Sequence, residues 1–311
     1  MNRPLVNVAA SVRQRLYDVA QRRGEDFQLV LVRYALERFL YRLAASPHSS
    51  SFILKGALLF SAWTGAPHRA TRDLDMLGRG KNAIESIVEA FRNVCAQAVE
   101  EDGLEFDTDT MRGERIREDE EYEGVRVRLE ARLGSARIPV QIDVGFGDAV
   151  TPGPVELDYP TLLELPAPHV RAYSRETVVA EKVHAIAVLG LANTRLKDFF
   201  DLLVLARSFA FEGTTLAAAF AATFERRRTA IPSEPPIGLT KDFAGDTGKS
   251  AQWRAFLSRS RIAGEQPSLE DAIEQIARFV LSPLRAAATS AAFKWTWPAG
   301  GPWRNVKRGE P

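Results

Sequence analysis

Asp73 and Asp75 flank a single residue, Leu74, in the stretch R-D-L-D-M-L that begins at Arg72. If this stretch is extended, successive side chains alternate, so the two carboxylates share one face while Leu74 and Met76 turn into a core. Two carboxylates in one patch repel unless a cation lies between them. Hard oxygen ligands so arranged suit Mg²⁺, or Mn²⁺, that is also held by the phosphates of a substrate. Just upstream, the apolar run Phe52–Leu54 ends in Lys55-Gly56-Ala57, a second apolar run follows, and Thr64 to Pro67 make a turn. Gly56 thus stands between a strand-like and a helix-like pattern, where backbone N–H groups can cradle an anion. A D-x-D alone is common on solvated strand edges. Here it closes an ordered series of strand, K-G, helix and turn within residues 52–77.

A third carboxylate is Asp143. Ile138, Val140, Ile142 and Val144 alternate with Gln141 and Asp143, so Asp143 faces away from the apolar set, toward the side of Asp73 and Asp75 if the strands are neighbours. There it would complete a second metal position or help deprotonate an attacking hydroxyl; the competing role is an exposed strand aspartate. Farther on, Lys182 lies beside the inward face of a helix capped by Ser174 and ending at Gly190, and it can either neutralise triphosphate oxygens or snorkel to the surface. After Asn193-Thr194 a second helix opens R-L-K-D-F-F-D-L, with Asp198 and Asp201 on one side. Arg195 and Asp198 can reach Lys182 if the two helices form an antiparallel hairpin. Asp201 can alternatively pair with Lys197.

These groups must be carried by recognisable elements. Two helices precede the K-G stretch, one capped by Ser11 and stopped by Gly24, the other capped by Asp26 and broken at Pro47. The second carries an apolar stripe, and its Arg33, Arg38 and Arg42 can touch a partner but are expected first on a solvated face. A helix is expected over 83–99, with Cys95 as a small core residue. The acidic run 100–109 is expected to be exposed. From Tyr122 the period changes to two, and a turn at Gly134-Ser135 makes a hairpin that joins the first sheet. Pro152, Pro154, Pro160, Pro166 and Pro168 mark a linker, which places a domain boundary near residue 165: a core with N-terminal helices over 1–165 and a mainly helical domain over 166–311. In the last hundred residues Arg226, Arg227, Arg228, Lys241, Lys249, Arg254, Arg259 and Arg261 form a basic excess. Trp253, Trp295, Trp297 and Trp303 can stack a terminal RNA base or pin a loose tail.

Composition narrows the classes. With 311 residues, 45% hydrophobic and 26% charged, the chain is an ordinary globular one that can bury a substantial core. A net charge of +1 means that any nucleic acid must be met by a local basic face. A single cysteine excludes an internal disulfide framework, and neither a signal-peptide core nor a membrane-length apolar run is seen, so a cytoplasmic protein with no membrane partner is expected.

The glycine bend, helix and D-x-D strand resemble the nucleotide site of a polymerase-β-type nucleotidyltransferase. More specifically, the chain resembles the AbiEii/AbiGii family of nucleotidyltransferase toxins, which includes the MenT-like toxins. The resemblance runs through S-V-R-Q-R-L at Ser11, E-R-F-L-Y-R-L at Glu37, F-I-L-K-G-A-L-L at Phe52, T-R-D-L-D at Thr71, E-K-V-H-A at Glu181, R-L-K-D-F-F-D-L at Arg195 and W-P-A-G-G-P-W at Trp297. It implies an α+β fold: a polymerase-β-type core, with a small mixed sheet and flanking helices, and a helical C-terminal domain. It implies Asp73 and Asp75 as the metal-binding pair, Lys182 as the nucleotide-handling lysine, and Asp198, with Asp201 beside it, as the last acid. It also implies the toxin of a type IV toxin–antitoxin system, with a cognate antitoxin encoded by an adjacent gene. Some members attach nucleotides to the acceptor end of tRNA. Where many nucleotidyltransferases carry Gly-Ser, this chain has Gly56-Ala57, so phosphate contact falls to Lys55, backbone N–H groups or Thr71, with Arg72 and Arg195 as further nucleotide-binding candidates. The expected activity is metal-dependent transfer of NMP from an NTP to an RNA, foremost the tRNA 3′ end. The alternatives are a protein or small-molecule acceptor, or an inert nucleotide-binding partner protein.

Overall fold

Helix α1, Val8–Arg23, is capped by Asn7, whose Oδ1 accepts from the Ala10 N–H, and ends in the left-handed Gly24. The expected cap, Ser11, lies inside the helix because Asn7, one turn earlier, already satisfies the free amide. Helix α2, Phe27–Ala45, is capped by Asp26 as expected, at 3.1 Å from the Leu29 N–H. The computed structural model describes residues 7–117, 123–260 and 266–305; Tyr122 and Arg261, named above, lie outside them. The chain divides into two compact units, Met1–Gly147 with Val155–Ala172, and Asp148–Pro154 with Tyr173–Pro311.

In the first unit, α2 is followed by β1 (Phe52–Lys55), α3 (Leu58–Thr64), β2 (Asp73–Gly78), α4 (Ile84–Cys95), β3 (Leu104–Arg117), β4 (Glu123–Leu133), β5 (Ala136–Phe146), β6 (Val155–Asp158) and β7 (His169–Ala172). The strands form one mixed sheet in the order β3-β4-β5-β2-β1-β7-β6. β4 and β5 make the expected hairpin, and β5 joins β2 in parallel. The proline-rich segment is more than a linker. Val155–Asp158 and His169–Ala172 contain no proline, and the prolines at 154 and 168 precede them, so both can pair and extend the sheet.

The arginines of α2 are buried, against expectation. Arg42 grips Asp102 with Nη1 at 2.7 Å from Oδ2 and Nη2 at 3.1 Å from Oδ1, and Arg38 adds Nε at 3.2 Å from Oδ2. Arg33 pairs with Glu25. The acidic run is likewise not a solvated loop: Asp102 is 3% exposed and β3 starts two residues later. A helix pattern shows where the apolar stripe lies. It cannot show that strands will cover the other side. Removing one partner of a buried ion pair leaves the other charge uncompensated. Asp102→Ala is therefore expected to lower unfolding free energy by about 3–5 kcal/mol in urea titration, whereas the exposed Glu101→Ala should change it by less than about 0.5 kcal/mol.

Glu37, 1% exposed, carries a second electrostatic cost. Burial raises its pKa to about 7, outweighing the N–H of Leu162 and the guanidinium of Arg38, which favour the charged form. A raised carboxyl pKa means that the folded chain binds the extra proton, so this contribution is present below about pH 4.5 and is lost as pH rises toward 7. Glu37→Gln should thus gain on the native chain by a few kcal/mol between pH 5 and pH 8, read as a smaller drop in melting temperature over that range.

The second unit contains α5 (Arg175–Leu189), α6 (Leu196–Ser208), β8 (Phe211–Glu212), α7 (Gly213–Arg226), α8 (Lys241–Gly245), α9 (Thr247–Ser260), α10 (Leu269–Ala288), β9 (Trp295–Trp297) and β10 (Arg304–Asn305). Together with the sheet of the first unit this is the α+β architecture expected. The indole N–H groups decide between the two tryptophan roles. Trp253 donates to Pro267 O, Trp297 to Ala206 O and Trp303 to Phe279 O, so these three fasten the chain to the helices. Trp295 remains exposed. No helix among the described residues is long and apolar enough to cross a membrane.

Candidate active site

β2 positions the acidic pair. Its alternation buries Leu74 and Met76 and leaves Asp73 and Asp75 half-buried on the opposite face. β5 runs parallel to β2 with Asp143 in register with Asp75, and β1 runs antiparallel on the other side with Lys55 opposite Asp75. Directly opposed residues share a face. The sheet therefore gathers three carboxylates, and oxygens of Asp73, Asp75 and Asp143 lie within 4.8 Å of one another. Asp143, 6% exposed, is not the surface strand residue of the alternative reading.

Gly56 makes room for this cluster. It adopts φ +77°, and a Cβ added there would stand 2.1 Å from Asp75 Oδ2. The neighbouring Ala57 provides no side-chain cap to α3. Thr71 donates its hydroxyl to Asp73 Oδ1 at 2.6 Å, fixing that carboxylate, while Arg72 is exposed. An all-oxygen donor set of this size, cleared of side chain at Gly56, fits a hard divalent cation such as Mg²⁺ or Mn²⁺.

One neighbour carries no distinguishing signal in the sequence. Arg126 on β4 faces Asp143 in register and binds it with two bonds, Nε to Oδ1 at 2.7 Å and Nη2 to Oδ2 at 2.6 Å. The bond to Asp143 holds the Arg126 pKa above its ordinary value. In the sequence it is one of several alternating arginines, and only the β4–β5 register distinguishes it.

The second unit holds the other predicted group. Helix α5 starts at its Ser174 cap as expected, and α6 follows closely enough for Lys182 to reach it. Lys182 Nζ lies 2.8 Å from both Asp198 Oδ1 and Asp201 Oδ2, and Arg195 Nε lies 2.8 Å from Asp198 Oδ2. Lys182 is therefore a fixed cation, not a snorkelling one, and Asp201 is one of its two carboxylate partners. Burial alone pushes the Asp198 carboxyl up, but Lys182 and Arg195 outweigh it and hold the pKa below its ordinary value.

In the same unit, Arg227 reaches Asp148 at 3.1 Å and Glu181 at 3.8 Å. His184 is kept neutral, its pKa lowered to about 4 first by burial and then by Arg227. Its Nδ1 accepts from Arg227 at 3.4 Å and its Nε2 meets Thr229 Oγ1 at 2.8 Å. Arg227, one member of the basic excess in the last hundred residues, is thus committed to an internal network, and Lys249 donates to Asn193 O.

A family model described as nucleotidyl transferase AbiEii toxin, type IV TA system, matches residues 38–275. Among solved structures, JHP933 from Helicobacter pylori is similar at 14% identity and TM-score 0.48, over 85% of this chain and 94% of that one. A candidate nucleotidyltransferase of H. pylori is similar at 13% identity and TM-score 0.45, over 85% and 96%. No curated protein matches the chain.

Proposed function

The chain belongs to the AbiEii nucleotidyl transferase toxin family, and from that premise we propose that it transfers NMP from an NTP to an RNA acceptor, foremost the 3′ end of tRNA. The observation that carries this reading is the convergence of Asp73, Asp75 and Asp143 on one sheet face beside the glycine bend. Asp73 and Asp75 would hold a divalent cation, with Asp143 completing the set. When bound, such a cation supplies Lewis-acid neutralisation of triphosphate charge.

The chain's own groups do the remaining work. Thr71 and the side-chain-free Gly56 keep Asp73 and Asp75 turned toward a common point. Lys55, Ala57 and Arg72 flank them and take part in nucleotide binding. Asp143 accepts the proton of the attacking hydroxyl as the new O–P bond forms and the α–β phosphoanhydride bond breaks, releasing pyrophosphate. Lys182 and Arg195 stabilise triphosphate charge, with Asp198 and Asp201 fixing the lysine's position. Arg128, Arg132 and Arg137 lie along the same sheet face and are largely exposed. Their pairs with Glu114, Asp107 and Glu130 are surface pairs of low strength, which RNA phosphates can replace. In keeping with the type IV family, a cognate antitoxin from a neighbouring gene is proposed as partner.

Incubation with α-labelled NTPs, divalent cation and total RNA tests the acceptor. Label is expected in the tRNA fraction, at the 3′ terminus on sequencing. Label confined to protein or to a small molecule would overturn the RNA assignment while leaving nucleotidyl transfer standing.

A further inference from the structure

The proposed reaction leaves Arg126 without a task, although its guanidinium reaches the heart of the site. Both of its bonds to Asp143 are short and they engage both carboxylate oxygens, the fork-on-fork arrangement that makes the strongest ion pairs. The pair is unequally covered, with the Asp143 side chain 9% exposed and that of Arg126 27%. The carboxylate is therefore held in place by the sheet, whereas the guanidinium has an open route to solvent. The same carboxylate is within 4.8 Å of its two acidic neighbours. A cation drawing on all three carboxylates would compete directly with the guanidinium for Asp143 and feel its positive charge at short range. Arg128, the next residue on that face, is engaged by Glu114 and Gln141, so Arg126 is the guanidinium that bears on Asp143.

We propose that Arg126 is an internal competitor for the third carboxylate: a divalent cation must loosen the Arg126–Asp143 pair to use Asp143, and the released guanidinium then turns to the phosphate oxygens that arrive with the cation. This inference rests on the metal-site reading above. Arg126 would thereby tie completion of the cation site to nucleotide binding, since the guanidinium regains a partner only when phosphate is present.

Mn²⁺ binding to the full chain without nucleotide, measured from the paramagnetic signal of the free ion, tests it. Arg126→Ala is expected to bind Mn²⁺ about tenfold more tightly than the native chain. Arg126→Lys, which keeps the charge and loses the fork, should fall between the two. With NTP as substrate, Arg126→Ala should raise KM more than it lowers kcat. Equal or weaker Mn²⁺ binding in Arg126→Ala would overturn the proposal; should that variant fail to fold, equal or weaker binding in Arg126→Lys would do so. Asp73→Ala separates the two levels of argument. If it leaves Mn²⁺ binding at the native level, the metal-site reading itself fails; if it abolishes binding and the Arg126 variants bind no more tightly, only the competition fails.

Discussion

Asp75→Ala is expected to reduce nucleotidyl transfer by about a thousandfold or more, with cooperative unfolding retained. Asp75 occupies the central position of the cluster, on a strand flanked by β1 and β5 and in register with Lys55 and Asp143. Its loss removes the one carboxylate that both neighbours face. The fold should tolerate the change, because Asp75 sits on the half-buried face of β2 while Leu74, Met76 and Leu77 keep the core contacts. Replacing one of three clustered carboxylates also relieves repulsion within the set. Thermal melting beside a transfer assay checks both halves. A variant that keeps transfer would remove Asp75 from the chemistry, and one that unfolds would make its role structural.

The second large effect is expected at Gly56. A methyl there meets Asp75 Oδ2 at 2.1 Å, Cγ at 2.7 Å and Cβ at 2.8 Å, and the backbone stands at φ +77°. Something must move, and the nearest group is the carboxylate on which the site depends. Gly56→Ala should therefore cost about 1–3 kcal/mol of stability and displace Asp75 enough to lower transfer about a hundredfold. Gly24→Ala is the matched control. Gly24 also has positive φ, at 63°, but nothing lies within 4 Å of its would-be Cβ. It should cost only the backbone penalty of about 1–2 kcal/mol and leave transfer unchanged. Equal loss of activity in both variants would attribute the effect to stability rather than to the position of Asp75.

What could be read from sequence follows from which patterns are local. The shared face of Asp73 and Asp75, and the direction of Asp143, need only the two-residue period of a strand. The reach of Asp198 and Asp201 toward Lys182 needs only helical spacing and a short connection between α5 and α6. Arg126 needed the β4–β5 register, a relation between separate segments that periodicity does not contain. The burial of Arg38 and Arg42 is hidden from sequence for a similar reason. Their burial depends on Asp102, far along the chain, and one acid among several in an acidic run gives no sign that it will become an internal counter-ion. The strands β6 and β7 were hidden because prolines mark the boundaries of elements as readily as the loops between them. Asn7 and Ser11 offer the same capping chemistry about one turn apart, and local pattern alone does not rank them.

The most direct measurement of the central claim uses one NTP labelled in turn at the α- and the γ-phosphate. Chemistry at the Asp73, Asp75 and Asp143 cluster predicts that α-label enters the acceptor, that γ-label leaves in pyrophosphate, and that Asp75→Ala abolishes both. Transfer of γ-label to the acceptor, or α-label incorporation undiminished in Asp75→Ala, would contradict it.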